Sequence, residues 1–305
     1  MSRFPTEILP QGYREPMTFN DNASVGGSTA RRRGRGAAVA GGGIAGLGAI
    51  AVLLFQLFTG TDISGLVGGG QAVGGGEETT IEQCQTGADA NERDDCRLAA
   101  GQLVLDQFWE EQVQGYTPPQ LIVVDGATGT QCGTASNQTG PFYCPPEQTV
   151  YVDPTFFALL RQQFDATAGP LAQLYVLAHE YGHHVQNITG IIQDYPDNGT
   201  GPDSNGVRRE LQADCFAGAF VGDMSTQVDE NGVPFLEAPT QQQIADAINA
   251  AQTVGDDHIQ RESGGVVNPD SWTHGSSAQR QRWFEKGMQG GVSACETFGI
   301  PGGSL

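Results

Sequence analysis

The segment His179-Glu-Tyr-Gly-His183 carries two imidazoles four residues apart. In a helix, residues at this spacing share one face, so both imidazoles can reach a single metal ion. Zinc binds neutral imidazole nitrogen at about 2.0–2.1 Å. Glu180 follows the first histidine and can lean toward a water molecule at the ion without being a ligand. The spacing predicts a site in which His179 and His183 bind one Zn2+ ion and Glu180 is the general base.

A catalytic zinc ion needs a third protein ligand and leaves its fourth position to water. Glu210 is the predicted third ligand, on the next helix along the chain. Asp214 lies four residues later on the same face, where it can accept the free N–H of a ligand histidine and fix its tautomer. Solvated carboxylates on an exposed helix are the alternative. Both helices are apolar, however, and unpaired histidines and carboxylates are unfavourable in a buried position.

The elements that must position these residues form a mixed pattern. Residues typical of helix starts occur at three places, namely Asp153-Pro154, Thr240, and Ser276 with Gln279. Two short β-branched runs at 121–124 and 149–152 are typical of strands. Apolar periodicity and the caps together predict an α+β fold, mainly helical with a small sheet. The predicted helices are 94–114, 153–164, 170–187, 207–224, 240–254 and 276–289.

The cysteines indicate the redox environment. All of them follow residue 80, and none forms a CxxC pair. An even count at loop-like spacing predicts disulfides, of which several connectivities are open. The local interpretation pairs Cys84 with Cys96 and Cys132 with Cys144, which leaves Cys215 for Cys295. Buried free thiols in a cytosolic protein are the alternative, and the topology predicted below favours an oxidising side.

Charge is unevenly distributed along the chain. The formal net charge is −20, whereas residues 1–36 carry six arginines against three acidic residues, a net charge of +3 that leaves −23 for the rest. A domain that acidic repels nucleic acid and anionic lipid, so neither is an expected partner. Residues 1–36 are also polar and glycine-rich without periodicity, which predicts a disordered cytoplasmic tail.

Residues 37–58 form an uncharged apolar run directly after the arginine cluster. As a helix the run would span about 33 Å, close to a bilayer core of about 30 Å. The positive-inside rule then predicts a single-pass protein with a cytoplasmic N-terminus and an extracytoplasmic domain. A cleaved signal peptide is the main alternative. Residues 59–80 are predicted to be a flexible linker, residues 81–298 the globular domain and residues 299–305 a C-terminal tail.

Four separated segments of the sequence are distinctive: Tyr151–Phe157, Leu174–Ile191, Arg209–Gly218 and His274–Phe284. Together they resemble a bacterial family of membrane-anchored neutral zinc metallopeptidases. The resemblance implies a zincin-like domain in which HExxH is followed by ExxAD. More distantly, the sequence is similar to gluzincin-type membrane endopeptidases. Those carry Thr-His-Pro with an arginine six residues beyond the histidine. Here Thr273-His274 is followed by Gly275 where that group has proline, and Arg280 stands at the matching place.

These motifs predict a zinc-dependent metalloendopeptidase acting on a peptide or protein. Zinc would activate water and polarise the scissile carbonyl, and Glu180 would move the proton to the leaving amine. His274, supported by Arg280, is the candidate second stabiliser of the oxyanion, the alternative being a plain helix-entry residue. An extended peptide would add to the strand at 149–152 or to the loop before it.

Two other functions stay open. A zinc-dependent amidase acting on cell-wall peptides would use the same chemistry. A catalytically silent, zinc-stabilised binding module would need no base at position 180 and would close the site with a fourth ligand.

Overall fold

The computed structural model describes residues 18–34, 77–163, 168–262 and 266–305. This part of the chain is a mixed α+β structure, about half helical with a small sheet. The predicted membrane span, residues 37–58, and residues 59–76 of the linker lie outside the described residues. Within the described ranges, none of the helices combines the length and the hydropathy that a membrane crossing requires.

Nine helices lie within the described residues, and those predicted from periodicity begin and end within a few residues of the expected positions. Capping boxes begin three of them, at Thr86, at Thr240 and at Ser276. In each, the cap side chain accepts a backbone N–H of the first turn, which would otherwise lack a partner. The helices are α1 (Gly87–Glu92), α2 (Asp94–Gln112), α3 (Thr155–Gln163), α4 (Pro170–Ile188), α5 (Ile191–Asp194), α6 (Asn205–Asp223), α7 (Gln241–Thr253), α8 (Asp256–Glu262) and α9 (Ser277–Gly290).

The sheet has five strands in the order β2-β1-β3-β7-β6, with β1, β3 and β7 parallel and both outer strands antiparallel to their neighbours. A separate hairpin, β4 with β5, covers part of one face. The strands are β1 (Arg31–Gly34), β2 (Glu78–Thr80), β3 (Gln120–Asp125), β4 (Ala127–Thr130), β5 (Gly133–Ser136), β6 (Phe142–Cys144) and β7 (Thr149–Val152).

The sheet order corrects the prediction about peptide binding at 149–152. Strand β7 is paired on both sides, so it has no free edge to receive a peptide. Among the described strands, β6 lies at one edge, and it belongs to the loop region before β7 that was the second choice.

Residues 18–34 are an integral part of the domain, so the prediction of a disordered tail over 1–36 is wrong for this segment. Phe19 and Val25 are fully buried in the main core. Strand β1 pairs with β3 from Arg31 opposite Ile122 to Gly34 opposite Asp125. Sequence reasoning missed this strand because a run of arginines has no apolar alternation; its backbone, not its side chains, supplies the pairing.

The two ends of the predicted domain also need correction. Strand β2 begins at Glu78, inside the predicted linker, and pairs with β1. Residues 299–305 do not form a tail, since they include a short 3-10 turn at Gly302–Ser304 and end at Leu305, which is 3% exposed. Buried terminal residues of this kind belong to the packed domain.

Helix α6 lies between α4 and α9, and small residues allow the close approach. A Cβ atom added at Gly182, inside the HExxH segment, would lie 3.0 Å from Cα of Ala213. At Gly218 of α6 an added Cβ would lie only 2.0 Å from the carbonyl oxygen of Phe284 in α9. Because real Cβ atoms do not approach this closely, glycine at these positions lets the three helices pack backbone to backbone.

The three disulfides confirm the local pairing: Cys84–Cys96, Cys132–Cys144 and Cys215–Cys295. No cysteine is free. The Cys215–Cys295 bridge joins α6 to the C-terminal segment across 80 residues of sequence, which restricts the unfolded chain most strongly of the three.

Candidate metal centre and its cavity

His179, His183 and Glu210 converge on one point between α4 and α6. Nε2 of His179 lies 3.2 Å from Oε2 of Glu210, and Nε2 of His183 lies 3.3 Å from Oε1 of the same carboxylate. One potential ligand atom from each of the three residues lies within 4.8 Å of the others. The structure thus brings together the three predicted ligands, although 31 residues separate His179 from Glu210 in sequence.

This group fits a zinc ion by its donors and by its spacing. Two ligand atoms at 2.0–2.1 Å from a tetrahedral centre are about 3.3 Å apart, and both nitrogen-to-oxygen separations are close to that value. Two imidazoles and one carboxylate are a ligand set typical of catalytic zinc. Among the described residues, no fourth His, Cys, Asp or Glu joins the group.

Hydrogen bonds hold the ring of each histidine with its Nε2 atom facing the carboxylate of Glu210. Nδ1 of His179 donates to Oδ1 of Asp214 at 2.9 Å. Nδ1 of His183 donates to Oε1 of Gln186 at 3.0 Å. With Nδ1 as the donor of these bonds in both rings, each Nε2 can bind a metal ion that displaces its proton, and the rings cannot rotate without breaking the bonds.

Asp214 is the centre of a buried charged network. It is fully buried and accepts from Nε and Nη2 of Arg280 at 2.7 and 2.9 Å, as well as from the Tyr175 hydroxyl. Such a two-pronged guanidinium contact is strong and directional. Because α9 supplies Arg280 and α4 supplies Tyr175, the network links all three helices behind the metal centre.

The position of Arg280 corrects its predicted role. The predicted role of Arg280 is the support of His274, whereas the guanidinium contacts Asp214, the hydroxyl of Tyr175 and the carbonyl oxygen of Val254. Arg280 also lines the cavity, and its bonds to Asp214 connect it to His179 rather than to His274. A tertiary contact decides this, because spacing from His274 along the sequence does not report where a long side chain ends.

Burial and the network shift the pKa values of these groups in opposite directions. Burial raises the pKa of Asp214, but Arg280 and His179 outweigh it and bring that pKa to about 2. Burial lowers the pKa of His179, but Asp214 and Glu210 outweigh it and raise that pKa to about 10. Glu210 has its pKa held well below the usual range, against its burial, by His183 and His274. The centre therefore binds positive charge strongly, which favours a divalent cation as much as a proton.

The centre opens into a cavity of about 530 Å³. Glu180 lines this cavity together with His179, His183 and Glu210, and it is not part of the ligand group. The cavity size is typical of ligand sites. Glu180 therefore lies on the wall of the same cavity as the metal centre, and its role as a general base stays a prediction.

His274 reaches the same cavity from the turn before α9. Its Nδ1 lies 2.8 Å from Oγ1 of Thr273 and 3.5 Å from Oδ1 of Asp256. Asp256 in turn accepts the backbone N–H groups of Thr273, His274 and Gly275. This carboxylate fixes the turn and the ring together, so the predicted location of His274 at the centre agrees with the structure.

Three polar residues near the centre were missed by the sequence reasoning. Gln186 is fully buried and joins His183 to the carbonyl oxygen of Arg209 and to Gln212. Tyr175 contacts Asp214, and Tyr143 of β6 lies on the cavity wall. Helical spacing offered a signal for the first two, because Gln186 lies three residues after His183 and Tyr175 four before His179.

The Tyr143 hydroxyl is committed to internal contacts. Nε2 of His184 donates to the carbonyl oxygen of Thr117 at 2.7 Å, so its Nδ1 must accept, and Tyr143 donates to it at 3.1 Å. The same hydroxyl accepts from Asn187 at 2.9 Å. His184 therefore has a structural role, and the Tyr143 hydrogen is directed away from the cavity.

Comparisons with known proteins identify a family and several relatives. The family described as "Putative neutral zinc metallopeptidase" matches residues 11–298. An uncharacterized protein of Mycobacterium tuberculosis, Rv2575, is 48% identical over 220 residues, which cover 72% of this chain and 75% of that protein. The uncharacterized protein YpfJ of Escherichia coli is 38% identical over 269 residues, covering 84% and 88%. No solved structure matches the chain.

Proposed function

The chain belongs to the neutral zinc metallopeptidase family, and from this premise we propose that it hydrolyses peptide bonds as a zinc metalloendopeptidase. The observation that carries the proposal is the convergence of His179, His183 and Glu210 beside Glu180 at the wall of one cavity. Zinc, when bound, supplies a Lewis acid that polarises a carbonyl group and lowers the pKa of water toward neutrality.

The protein's own groups would handle the protons. Glu180 accepts a proton from the attacking water and later gives it to the leaving amine, which splits the peptide bond without a charged amide leaving group. Asp214 and Gln186 hold the two ligand rings in place, so that little reorganisation is needed during the reaction. His274, whose Nδ1 is engaged by Thr273, would direct Nε2 at the oxyanion of the tetrahedral intermediate.

An open ligand set separates this proposal from its rival, the silent binding module. Only three His, Cys, Asp or Glu donors come together in the described part of the chain, whereas a structural zinc site is closed by four. A base at position 180 has no use in a closed site. The cell-wall amidase uses the same groups on another acyl donor, and substrate assays separate the two.

The zincin-like architecture belongs to the same proposal. It is supported by the packing of α4, which carries the HExxH segment, next to β6 and β7. It is also supported by the position of β6, an edge strand that contributes Phe142 and Tyr143 to the cavity wall. An extended peptide could pair with that edge while its scissile bond faces Glu180.

The first prediction concerns the base. In Glu180→Gln we expect zinc to stay bound at one ion per chain, because position 180 is not a ligand, while kcat falls by about 10²–10⁴-fold for lack of a proton acceptor. Metal analysis and peptide turnover on the same purified sample measure both. The control His183→Ala should lose zinc as well as activity. Turnover by Glu180→Gln at the wild-type rate would remove Glu180 from the proposal.

The second prediction concerns His274. In His274→Ala we expect zinc to be retained and kcat to fall by about 10²–10³-fold with little change in KM, because an oxyanion donor acts mainly in the transition state. Steady-state kinetics with one peptide measure this split. An unchanged kcat would leave His274 with only its structural contact to Asp256.

For the location, we propose an oxidising space outside the cytoplasm, supported by the three disulfides. Residues 18–34 pack in the same domain as the metal centre, so both lie on one side of any membrane. This packing argues against a cytoplasmic N-terminus joined to an extracytoplasmic domain. Membrane attachment through residues 37–58 stays a prediction.

Labelling tests that location. Single cysteines replacing exposed Asn22 and exposed Glu230 should both react with a membrane-impermeant maleimide added to intact spheroplasts. Labelling at position 230 alone would place residues 18–34 in a different compartment, and labelling at neither position would contradict the location itself.

A further inference from the structure

The cavity has two chemically different walls. One wall carries the imidazoles and carboxylates of the metal centre. The other is apolar and is assembled from four helices: α3, α4, α7 and α8. The residues that form this apolar compartment are Phe156, Leu160, Val176, Ala250 and Ile259.

The compartment lies directly beside the base. Val176 and Glu180 are four residues apart on α4 and share one face of that helix. A group seated against Val176 is therefore about one helical turn, roughly 6 Å along the axis, from the Glu180 position. Whatever fills the compartment must belong to a part of the substrate close to the reacting bond.

A cavity of this size is not an ordinary packing defect. The cavity measures about 530 Å³, including the space at the metal centre, and it is open to solvent on one side, as ligand sites of this size are. Water is also a poor occupant of an apolar compartment, because it needs several polar partners there. The volume and the lining favour an apolar group from a ligand.

The polar atoms bordering the apolar wall are already used within the protein. Oγ1 of Thr253 donates to the carbonyl oxygen of Asn249 at 2.8 Å. The Tyr143 hydroxyl is engaged by His184 and Asn187, and the Tyr175 hydroxyl by Asp214. An amide or charged side chain entering here would lose its hydration without gaining hydrogen bonds, which is strongly unfavourable.

We propose that this compartment receives a large apolar side chain, aromatic or branched aliphatic, of the substrate residue that flanks the scissile bond. The inference rests on the proposed peptidase function and deepens it by naming the substrate class. Burying such a side chain stabilises the bound peptide, and a single methylene in an apolar pocket changes kcat/KM by about 10–200-fold. Peptides with leucine or phenylalanine at this position should therefore exceed those with alanine by at least about tenfold.

The test uses the full chain loaded with zinc and a set of peptides that differ only at the residue flanking the cleaved bond: alanine, leucine, phenylalanine, aspartate or lysine. Ala250→Leu places extra volume in the compartment, since Ala250 is 2% exposed and lines it. We expect kcat/KM for the phenylalanine peptide to fall more than tenfold and that for the alanine peptide to change less than threefold. The matched control Ala245→Leu makes the same substitution at an exposed position of α7 and should leave both unchanged.

A second variant guards against misfolding of the first. Phe156→Ala enlarges the compartment from α3, and in this variant kcat/KM for a further peptide with tryptophan at the flanking position should rise relative to the phenylalanine peptide. Equal cleavage of all five peptides, a preference for aspartate or lysine, or a uniform loss in Ala250→Leu would overturn the proposal and leave peptidase activity standing.

A binding measurement distinguishes a failure of the proposed compartment from a failure of the proposed peptidase function. Calorimetric titration of zinc-loaded Glu180→Gln with the phenylalanine and alanine peptides measures the compartment without turnover. Tighter binding of the phenylalanine peptide supports the compartment even where the wild type cleaves nothing. Equal binding of the two peptides overturns it.

Discussion

Two aspartates on opposite sides of α4 have opposite protonation behaviour. Asp214, beside His179, is fully buried, and its pKa is brought to about 2 by Arg280 and His179 against the effect of burial. Asp106, beside Tyr181, contacts hydroxyl groups, including that of Tyr116 at 3.1 Å, and burial raises its pKa to about 7. One helix thus separates a carboxylate held ionised from a carboxyl that takes up a proton near neutral pH.

Burial alone therefore does not decide the charge of a carboxyl group. A guanidinium and an imidazole within hydrogen-bond distance stabilise the ionised form, whereas hydroxyl donors only partly offset the loss of hydration. The side with the cation is the side with the metal centre. Replacing Asp214 alone therefore leaves a buried charge without its partner, so Asp214 and Arg280 have to be replaced together. Asp106, on the other side of α4, has no such partner among the described residues and can be replaced by a neutral residue alone.

The largest expected effect comes from removing one member of the charged network. Asp214→Ala leaves the Arg280 guanidinium buried without its partner, and breaking a buried pair in this way destabilises a protein by about 3–5 kcal/mol. Loss of the partner of Nδ1 in His179 should also weaken zinc affinity by about 10–100-fold. Urea unfolding of the metal-free protein and competition with a chelator measure the two effects.

The matched control removes both charges. Asp214→Leu combined with Arg280→Met should recover most of the lost free energy of unfolding, because no unpaired charge stays buried. Zinc affinity should stay low in the double variant, since His179 still lacks its acceptor. Equal destabilisation of single and double variants would contradict the account of Asp214 and Arg280 as a coupled pair.

A smaller effect of opposite sign is expected on the other side of α4. Below about pH 4 the Asp106 carboxyl is protonated in both the folded and the unfolded chain. Between about pH 4 and 7 the unfolded chain loses this proton while the folded protein keeps it, so the free energy of unfolding falls as pH rises. Asp106→Asn keeps acceptors for the tyrosines and should remove this dependence.

Urea unfolding at pH 4.5 and pH 8 measures the prediction for Asp106. The variant should gain on the order of 1–2 kcal/mol at pH 8 relative to the wild type, less than the full pKa shift implies because the carboxyl is partly exposed, and little at pH 4.5. Asp125→Asn, at an exposed position, is the control. A gain of equal size at both pH values would show that protonation of Asp106 is not the cause.

Prediction from sequence succeeded where the signal is local. Helix α4 follows from an apolar period between Pro170 and Ile188, and α7 and α9 follow from their capping boxes. The disulfide pairs Cys84–Cys96 and Cys132–Cys144 are also local, since each closes a short loop. Local signals of this kind need no knowledge of what packs where.

Prediction failed where long-range contacts override composition. Strand β1 is rich in arginine, yet it pairs on both sides, and Arg33 reaches the hydroxyl of Tyr151 at 3.3 Å. Residues 299–305 are rich in glycine and have no periodic pattern, yet Leu305 is buried. In both cases backbone pairing or a distant surface supplies the stabilisation, and neither leaves a periodic pattern in the sequence.

The sequence by itself determined the reactive groups: the two histidines of one helical turn, the base between them, and the acid Glu210, whose residue type suits zinc. Only the tertiary structure decided what holds and surrounds them. Close helix packing at Gly182 and Gly218 brings Glu210 to the imidazoles and Arg280 to Asp214, and four helices meet to leave an apolar compartment beside Glu180. The physical reason is that side-chain chemistry is a property of each residue, whereas distance, burial and protonation depend on how separate segments pack together.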